Sequence, residues 1–113
     1  MTTDDLVRDY FAAWNDFDDD HREATLRAIF TEDAAIVDPD WTATGHPEIA
    51  EAIGQARRKL GDLALGRTAV ISAHHDRVLY SWHLGEPAAP VATGYGVLTV
   101  HNGRISEAAN FFG

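Results

Sequence analysis

The fold is decided by residues 30–45, which read Phe-Thr-Glu-Asp-Ala-Ala-Ile-Val-Asp-Pro-Asp-Trp-Thr-Ala-Thr-Gly. Residues 34–37 are apolar and predict a short buried strand. The strand must end at Asp38-Pro39, because proline has no backbone N–H for a strand ladder and holds the preceding residue in an extended conformation. Asp38 is therefore a carboxylate at a fixed position with Trp41 close by. Since Asp before Pro often begins a turn, a purely structural role is the alternative interpretation.

Length and composition indicate one folded domain covering residues 1–113. A chain of 113 residues buries roughly two-thirds of its unfolded surface. A hydrophobic content of 45% with 10% aromatic residues argues against disorder. The chain has no cysteine, which excludes disulfides and thiolate chemistry. Neither a signal peptide nor an apolar run of membrane-spanning length is visible, so we expect a soluble, cytoplasmic protein without a membrane partner.

The net charge of −9 is unevenly distributed. Residues 1–53 contain fourteen acidic residues against three arginines, a net charge of −11, whereas residues 54–113 contain six basic residues against four acidic ones, a net charge of +2. An acidic surface repels phosphate backbones, so nucleic acid is not expected as a partner. Most of the charge is explained as a solvated helix face that aids solubility.

Three helices are predicted around the first strand. Thr3 can cap a helix with two acidic residues in its first turn. One face of that helix is apolar and consists of Leu6, Tyr10, Ala13, Trp14 and Phe17. Asp20 begins a second helix, which reaches residue 30, with a capping-box pattern. Pro47 suits the first turn of a third helix, and Gly61 ends it.

From residue 65 onward the apolar period changes from that of a helix to that of a strand. Four strands are predicted, at residues 65–74, 77–84, 91–101 and 104–112, joined by short connections. Gly94 and Gly96 predict a bend or bulge in the third of these. The element order indicates an α+β fold in which helices cover one face of an antiparallel sheet. Such an arrangement leaves a cavity near the end of the first strand.

Six short motifs occur in an order that resembles the nuclear transport factor 2-like superfamily, in particular its SnoaL-like and ketosteroid isomerase-like (polyketide cyclase-like) members. The motifs are Tyr10-Phe-Ala-Ala-Trp-Asn15, Phe30-Thr-Glu-Asp-Ala34, Val37-Asp-Pro39, Gly45 before the third helix, Asn102-Gly-Arg-Ile105 and Phe111-Phe-Gly113. The resemblance covers nearly the whole chain. It implies a cone in which three helices pack on a strongly curved, mixed but mostly antiparallel sheet.

The resemblance also implies a pair of catalytic residues. Tyr10 matches the tyrosine that binds an oxyanion in the steroid isomerases, and Asp38 matches the base that moves the proton. Removing a proton next to a carbonyl requires both a carboxylate base and donors for the resulting enolate oxygen. The isomerases keep a second, protonated acid on the fourth strand, but residues 91–101 contain no Asp or Glu. SnoaL-like cyclases also use an acid on a late strand, and the candidate, Glu107, is out of phase with the expected cavity. A complete steroid-isomerase site is therefore absent, and Asn110 or Tyr95 is a candidate for the missing donor.

Two classes of function remain open at this point. The first is an isomerase, cyclase or dehydratase that uses Asp38 as a general base on an apolar cyclic or polyketide-like substrate. The second is a non-catalytic module of the same fold that binds such a molecule, or a peptide. In both cases the resemblance predicts a cavity that Asp38 and Tyr10 enter and that is lined by Trp14, Trp41, Tyr80, Trp82, Tyr95, Asn110 and Phe112.

The sequence gives no sign of a cofactor or metal, and none is expected. No histidine pair has the helical or strand spacing, with a carboxylate, that would suggest zinc or iron. The chain has no glycine-rich phosphate loop or dinucleotide fingerprint.

A homodimer is expected. The resemblance implies that two copies pair through the outer face of the sheet, on which the expected residues are Leu79, Ser81, His83, Ala109 and Phe111.

Overall fold

The computed structural model describes residues 2–113 and contains three α-helices and six β-strands. In chain order they are α1 (Thr3–Asn15), α2 (Asp19–Ile29), β1 (Phe30–Val37), β2 (Thr42–Thr44), α3 (His46–Leu60), β3 (Leu65–His74), β4 (Arg77–Leu84), β5 (Ala92–His101) and β6 (Arg104–Phe112). Among these residues, none of the helices has the length and apolarity needed to cross a membrane.

The six strands form one open sheet in the order β2-β1-β6-β5-β4-β3. All neighbouring strands are antiparallel except β1 and β6, which are parallel. Register shifts occur between β1 and β6, twice between β3 and β4, and once between β5 and β6. Each such bulge bends its strand and increases the local twist. The predicted α+β fold, three helices on a curved and mostly antiparallel sheet, is confirmed.

The helix starts lie slightly earlier than predicted. Thr2, not Thr3, caps α1 and forms a capping box with Asp5. Asp18, not Asp20, caps α2, because its carboxylate reaches the backbone N–H of His21 at 3.0 Å. Several adjacent polar residues can each cap a helix, so the local pattern leaves the choice open by one or two positions. The capping box predicted for α2 is found at α1 instead, and α2 has a single side-chain cap.

Phe17 is not part of the buried face of α1, contrary to the sequence prediction. The helix ends at Asn15, and the Phe17 side chain is 67% exposed. Its ring lies 4.9 Å from the guanidinium carbon of Arg57. The apolar period continued past the helix end in the sequence, but the chain turns there toward α2, so the side chain leaves the core.

The first strand is longer than predicted and has a partner that the sequence did not reveal. β1 begins at Phe30, directly after α2. The prediction missed its first half because residues 31–33 are polar and add no apolar signal. It ends at Val37, before Asp38-Pro39, as predicted. β2 has three residues and pairs antiparallel with the end of β1. A strand this short carries too little periodicity to be predicted.

The third helix has the predicted boundaries and one buried charge that was not predicted. Pro47 lies in its first turn, and Gly61 follows it with a positive φ of 60°. Arg57 is only 3% exposed, and its guanidinium donates to the carbonyl oxygens of Trp14 at 3.0 Å, of Gly61 at 2.9 Å and of Leu63. These hydrogen bonds connect the end of α1 to the end of α3. The sequence analysis did not predict this role for Arg57.

Candidate active site

An apolar cavity of about 260 Å³ lies between the helices and the sheet. Its wall comes from α1, the β1–β2 loop, α3 and the strands β3–β6. The lining residues are Tyr10, Phe11, Trp14, Asp38, Asp40, Trp41, Ala56, Lys59, Leu60, Leu65, Tyr80, Trp82, Leu84, Ala92, Asn110 and Phe112. Three of these side chains, Asp38, Asp40 and Lys59, are charged, so the cavity suits a mainly apolar molecule.

Asp38 is half-buried at the wall of this cavity, where β1 ends. Its Oδ1 accepts a hydrogen bond from Asn110 Nδ2 at 3.1 Å, and its Oδ2 accepts a long one, at 3.3 Å, from the backbone N–H of Asp40. The backbone N–H of Asp38 donates to the carbonyl of Trp41 and closes the β1–β2 loop. One carboxylate oxygen therefore serves the turn, while the other faces the side chain of Asn110.

Tyr10 is buried on α1 and reaches the same asparagine from the other side. Its hydroxyl lies 3.5 Å from Asn110 Oδ1, at the outer limit of a hydrogen bond, so this contact is weak. Burial raises the pKa of Tyr10 to about 12, and the nearby charge of Asp38 contributes to the increase. Tyr10 is therefore protonated at neutral pH, and its hydroxyl can donate to a bound molecule.

Aromatic rings form most of the remaining wall. Trp14 and Trp41 lie with ring centroids 6.3 Å apart and planes inclined by 33°. Trp82 and Phe112 meet edge to face at 5.9 Å. Phe112 is 57% exposed, so this pair extends from the interior to solvent. Flat aromatic walls of this kind favour a planar or cyclic ligand, since ring faces offer large contact areas at fixed geometry.

The two glycines of β5 make room for these rings. Gly96 pairs with Tyr80 and Gly94 pairs with Trp82, and β4 and β5 are joined without a register shift along this stretch. A Cβ atom on either glycine would lie 2.3 Å from an atom of the facing ring. No bulge interrupts the strand pairing at Gly94 or Gly96, so that alternative of the sequence prediction is wrong. The sequence contained a signal for this packing: two aromatic residues spaced by two on one strand, and two glycines with the same spacing on the next.

Eight of the nine predicted site residues line this one cavity: Asp38, Tyr10, Trp14, Trp41, Tyr80, Trp82, Asn110 and Phe112. Tyr95 does not, and its predicted place in the cavity is wrong. Its side chain is 47% exposed on the opposite face of the sheet, because it stands between two inward-facing glycines and side chains alternate along a strand. Only its backbone carbonyl takes part, accepting a hydrogen bond from Trp82 Nε1 at 3.1 Å.

Several lining residues were not identified from the sequence. Two of them, Asp40 and Lys59, are charged. Lys59 lies three residues after Ala56 on α3, which places it on the cavity side of the helix and could have indicated its position. Within residues 2–113, no three His, Asp or Glu side chains come close enough together to hold a metal ion.

Three helices on a curved sheet, with an apolar cavity between them, define a protein of the nuclear transport factor 2-like class. The chain belongs to the SnoaL-like domain family, whose model matches residues 7–108. No curated protein matches the chain.

Solved structures extend this comparison. A candidate isomerase of the SnoaL-like family from Agrobacterium tumefaciens is 28% identical, with a TM-score of 0.88 over 96% of this chain and 94% of that one. A candidate polyketide cyclase from Sinorhizobium meliloti is 22% identical, with a TM-score of 0.74 over 94% and 93%. A protein of ketosteroid isomerase-like fold from Catenulispora acidiphila, in complex with trimethylamine, is 19% identical, with a TM-score of 0.78 over 97% and 86%.

Proposed function

We propose that this protein binds an apolar cyclic or polyketide-like molecule and transfers a proton on it, with Asp38 as the general base. The observation that carries the proposal is the contact of Asp38 Oδ1 with Asn110 Nδ2 at 3.1 Å, within the wall of an apolar cavity that also contains Tyr10. A carboxylate and a protonated hydroxyl on one apolar wall are the two groups that enolate chemistry needs.

The reaction step follows from these two groups. The Asp38 carboxylate removes a proton from the carbon next to a carbonyl, and the electron pair of the C–H bond forms the enolate. The oxygen, which gains negative charge, accepts a hydrogen bond from the Tyr10 hydroxyl. Returning the proton from Asp38 to another carbon completes an isomerisation. In a cyclisation, the enolate carbon attacks a second carbonyl, and the alkoxide formed takes the proton from Asp38. In a dehydration, the β-hydroxyl leaves with that proton as water.

The relatives support this class of reaction. The candidate isomerase from Agrobacterium tumefaciens and the candidate polyketide cyclase from Sinorhizobium meliloti share the fold over almost the whole chain. Isomerisation of an unsaturated ketone and aldol-type cyclisation both begin with proton removal next to a carbonyl, which is the step proposed for Asp38.

The second candidate function is binding without turnover. It is favoured by the fact that both oxygens of Asp38 already accept hydrogen bonds, from Asn110 and from the backbone of Asp40. β5 also carries no acid that could assist the base. In this case the aromatic cavity holds the molecule and Asp38 shapes the loop at its wall.

We also propose that two copies associate through the outer face of the sheet. Tyr95 and Phe111 are opposite each other on β5 and β6, and their side chains are 47% and 53% exposed. Two adjacent aromatic side chains on an open sheet face are typical of a contact surface. The exposed patch supports the homodimer that the sequence resemblance implies.

Proton transfer can be tested with 2-tetralone, a small bicyclic ketone with exchangeable protons next to its carbonyl. In D₂O, we expect the protein to accelerate loss of the α-proton NMR signals above the buffer rate. Asp38→Asn should reduce this acceleration by about 10²–10⁴-fold while changing the affinity for 2-tetralone little. Asp33→Asn is the matched control, because Asp33 is exposed on β1 and should leave the rate unchanged.

The result also separates the two candidate functions. Tight binding of 2-tetralone without accelerated exchange would favour the binding module. Accelerated exchange that survives Asp38→Asn would overturn the role of Asp38 as the base.

A further inference from the structure

A second groove lies directly outside the cavity, next to Trp41. It has a volume of about 700 Å³ and runs between α3 and residues 40–43 at the start of β2. Four residues line both the cavity and this groove: Asp40, Trp41, Ala56 and Lys59. The two spaces therefore share a wall.

Trp41 is the largest residue of the shared wall. Its ring centroid lies 6.3 Å from that of Trp14, on the cavity side. Its backbone carbonyl accepts a hydrogen bond from the N–H of Asp38 at 2.9 Å, which holds the residue close to the end of β1. The Trp41 side chain is half-buried, so it reaches both the interior and the surface. A molecule whose ring packs against Trp41 inside the cavity can extend past the indole into the groove.

Small side chains on one face of α3 leave room for such an extension. Ala52 and Ala56 are one helical turn apart, and both are half-buried. Glu48 and Glu51 lie on the same face, closer to the start of the helix. Ala56 and Glu51 are five residues apart, which is about 7.5 Å along the helix axis. A chain of four methylene groups that leaves the cavity beside Ala56 therefore brings its end near the Glu51 carboxylate.

The groove is acidic at the end that lies away from the cavity. Glu48 and Glu51 line the groove but not the cavity, whereas Lys59 belongs to the shared wall. In the part of the chain that the structure describes, neither glutamate forms an ion pair. The Glu51 carboxylate accepts a hydrogen bond from Gln55 at 2.8 Å, but that donor is neutral. A cation is thus the complementary group for this end of the groove.

We propose that the groove binds the open-chain part of a two-part ligand, whose ring occupies the cavity and whose chain ends in a protonated amine near Glu48 and Glu51. This inference rests on the proposed function, because the cavity must take the ring of the ligand. It adds a second recognition site, which selects among cyclic ligands by the charge at the end of their side chain. Because both carboxylates are exposed, the selection is modest and weakens at high salt.

The test uses three fluorescent probes in which naphthalene is joined through four methylene groups to different end groups. They are 4-(2-naphthyl)butylamine, 4-(2-naphthyl)butanol and 5-(2-naphthyl)pentanoate, which end in an ammonium, a hydroxyl and a carboxylate. Their affinities are measured by fluorescence titration at low ionic strength. We expect the ammonium probe to bind about three- to tenfold more tightly than the hydroxyl probe, and the carboxylate probe to bind most weakly.

Two variants separate the charge of the groove from its shape. The double variant Glu48→Gln, Glu51→Gln should abolish the preference for the ammonium probe. Glu107→Gln is the matched control, because Glu107 is exposed on β6 and lines neither the cavity nor the groove. Ala52→Leu fills the groove but does not line the cavity. It should weaken binding of all three probes several-fold while leaving the affinity for naphthalene itself unchanged.

The outcome does not depend on whether Asp38 is a base, since these probes offer no carbon acid next to a carbonyl for rapid exchange. Asp38→Asn should abolish the exchange of 2-tetralone but keep the preference for the ammonium probe, so the two proposals fail separately. Loss of the preference in Asp38→Asn would place the ammonium in the cavity and overturn the groove site.

Three further results would also overturn it. They are equal affinities for the three probes, a preference that persists in the double variant, and failure of the wild type to bind naphthalene. If Ala52→Leu does not fold by circular dichroism, the double variant still decides the question, because both glutamates are exposed.

Discussion

Asn110 donates a hydrogen bond from Nδ2 to Oδ1 of Asp38 at 3.1 Å, although the two residues are 72 positions apart in the chain. The parallel pairing of β1 with β6 brings them together, since Val37 is in register with Ala109. In a parallel pair the carboxyl ends of both strands lie at the same edge of the sheet. The first and last strands thus supply the two polar groups of one site.

Loss of the Asn110 amide should slow proton transfer more than it weakens binding. Asn110→Ala removes the donor that orients Asp38, and misplacement of a reacting group by a small distance can lower a rate substantially. We expect the exchange rate of 2-tetralone to fall about tenfold or more, with its affinity changed less than about threefold. Ser81→Ala on β4 serves as the control. An unchanged exchange rate would show that Asn110 does not position the carboxylate.

Alanine at Gly96 or Gly94 should destabilise the protein. In both cases the added Cβ would lie 2.3 Å from an aromatic ring, and at Gly94 it would also lie 2.1 Å from the carbonyl oxygen of Phe111. Overpacking of this kind costs about 1–3 kcal/mol or more in free energy of unfolding. Urea denaturation measures the loss, with Gly113→Ala as a control whose nearest contact, with the Tyr95 ring, is 3.3 Å. Alanine at Gly96 without loss of stability would contradict the tight packing of Tyr80.

The protein should lose stability in alkaline solution because of its buried tyrosines. Burial raises the pKa of Tyr10 to about 12, and that of Tyr80 is raised in the same direction. Above about pH 10 the unfolded chain releases these protons while the folded chain retains them. Stability is therefore complete below pH 10 and falls as the pH rises through about 12.

The measurement for this prediction is the free energy of unfolding in urea, compared at neutral pH and near pH 11, with an expected fall on the order of 1–2 kcal/mol. Tyr10→Phe should reduce the fall, because one of the two groups no longer titrates. The same pH dependence in Tyr10→Phe as in the wild type would contradict the contribution of Tyr10 to the alkaline loss of stability.

Replacement of the buried Arg57 should be far more destabilising than replacement of its neighbour. Arg57→Met leaves the carbonyl oxygens of Trp14, Gly61 and Leu63 without that donor, and an unsatisfied buried polar group costs about 1–3 kcal/mol. Arg58 is 58% exposed and its ion pair with Asp19 is 3.7 Å long, so Arg58→Met should change the free energy of unfolding by less than about 1 kcal/mol. Thermal or urea unfolding compares the two, and similar losses would contradict the role of Arg57.

A charge on the outer sheet face should prevent the proposed association. Phe111→Lys introduces a cation beside Tyr95, and burying it between two copies without a partner would be costly. We expect wild-type protein to sediment as a dimer at micromolar concentration and Phe111→Lys as a monomer. Val91→Ser, at an exposed loop position, should remain dimeric. A wild-type monomer in this experiment would refute the homodimer.

Local signals in the sequence were sufficient for most of the fold. Asp38-Pro39 ended β1 at Val37, and Pro47 and Gly61 bounded α3, as predicted. The predicted bounds of β3, β4 and β6 match those observed. These features depend on backbone conformation and side-chain period within a few residues, and the sequence carries that information directly. β2 was missed because its three residues are too few to show the side-chain period of a strand.

The residues predicted to line the cavity were identified largely from the alternation of side chains along the strands. Side chains on β4 and β6 alternate between its two faces, so placing Tyr80 inward also placed Trp82 inward, and the same holds for Asn110 and Phe112. Tyr95 was assigned to the cavity because it lies in the region where the steroid isomerases carry their second acid. The same alternation places its side chain on the outer face of the sheet, where it is exposed.

The sequence by itself determined the helices, the longer strands and the residue types that could form a site, since these depend on neighbours in the chain. Only the tertiary structure decided that Gly96 accommodates the Tyr80 ring, that Arg57 is buried, and that Asn110 joins Asp38 to Tyr10. Each of these relationships joins segments that are distant in sequence. Their geometry depends on strand order, register and helix packing, which a local pattern does not specify.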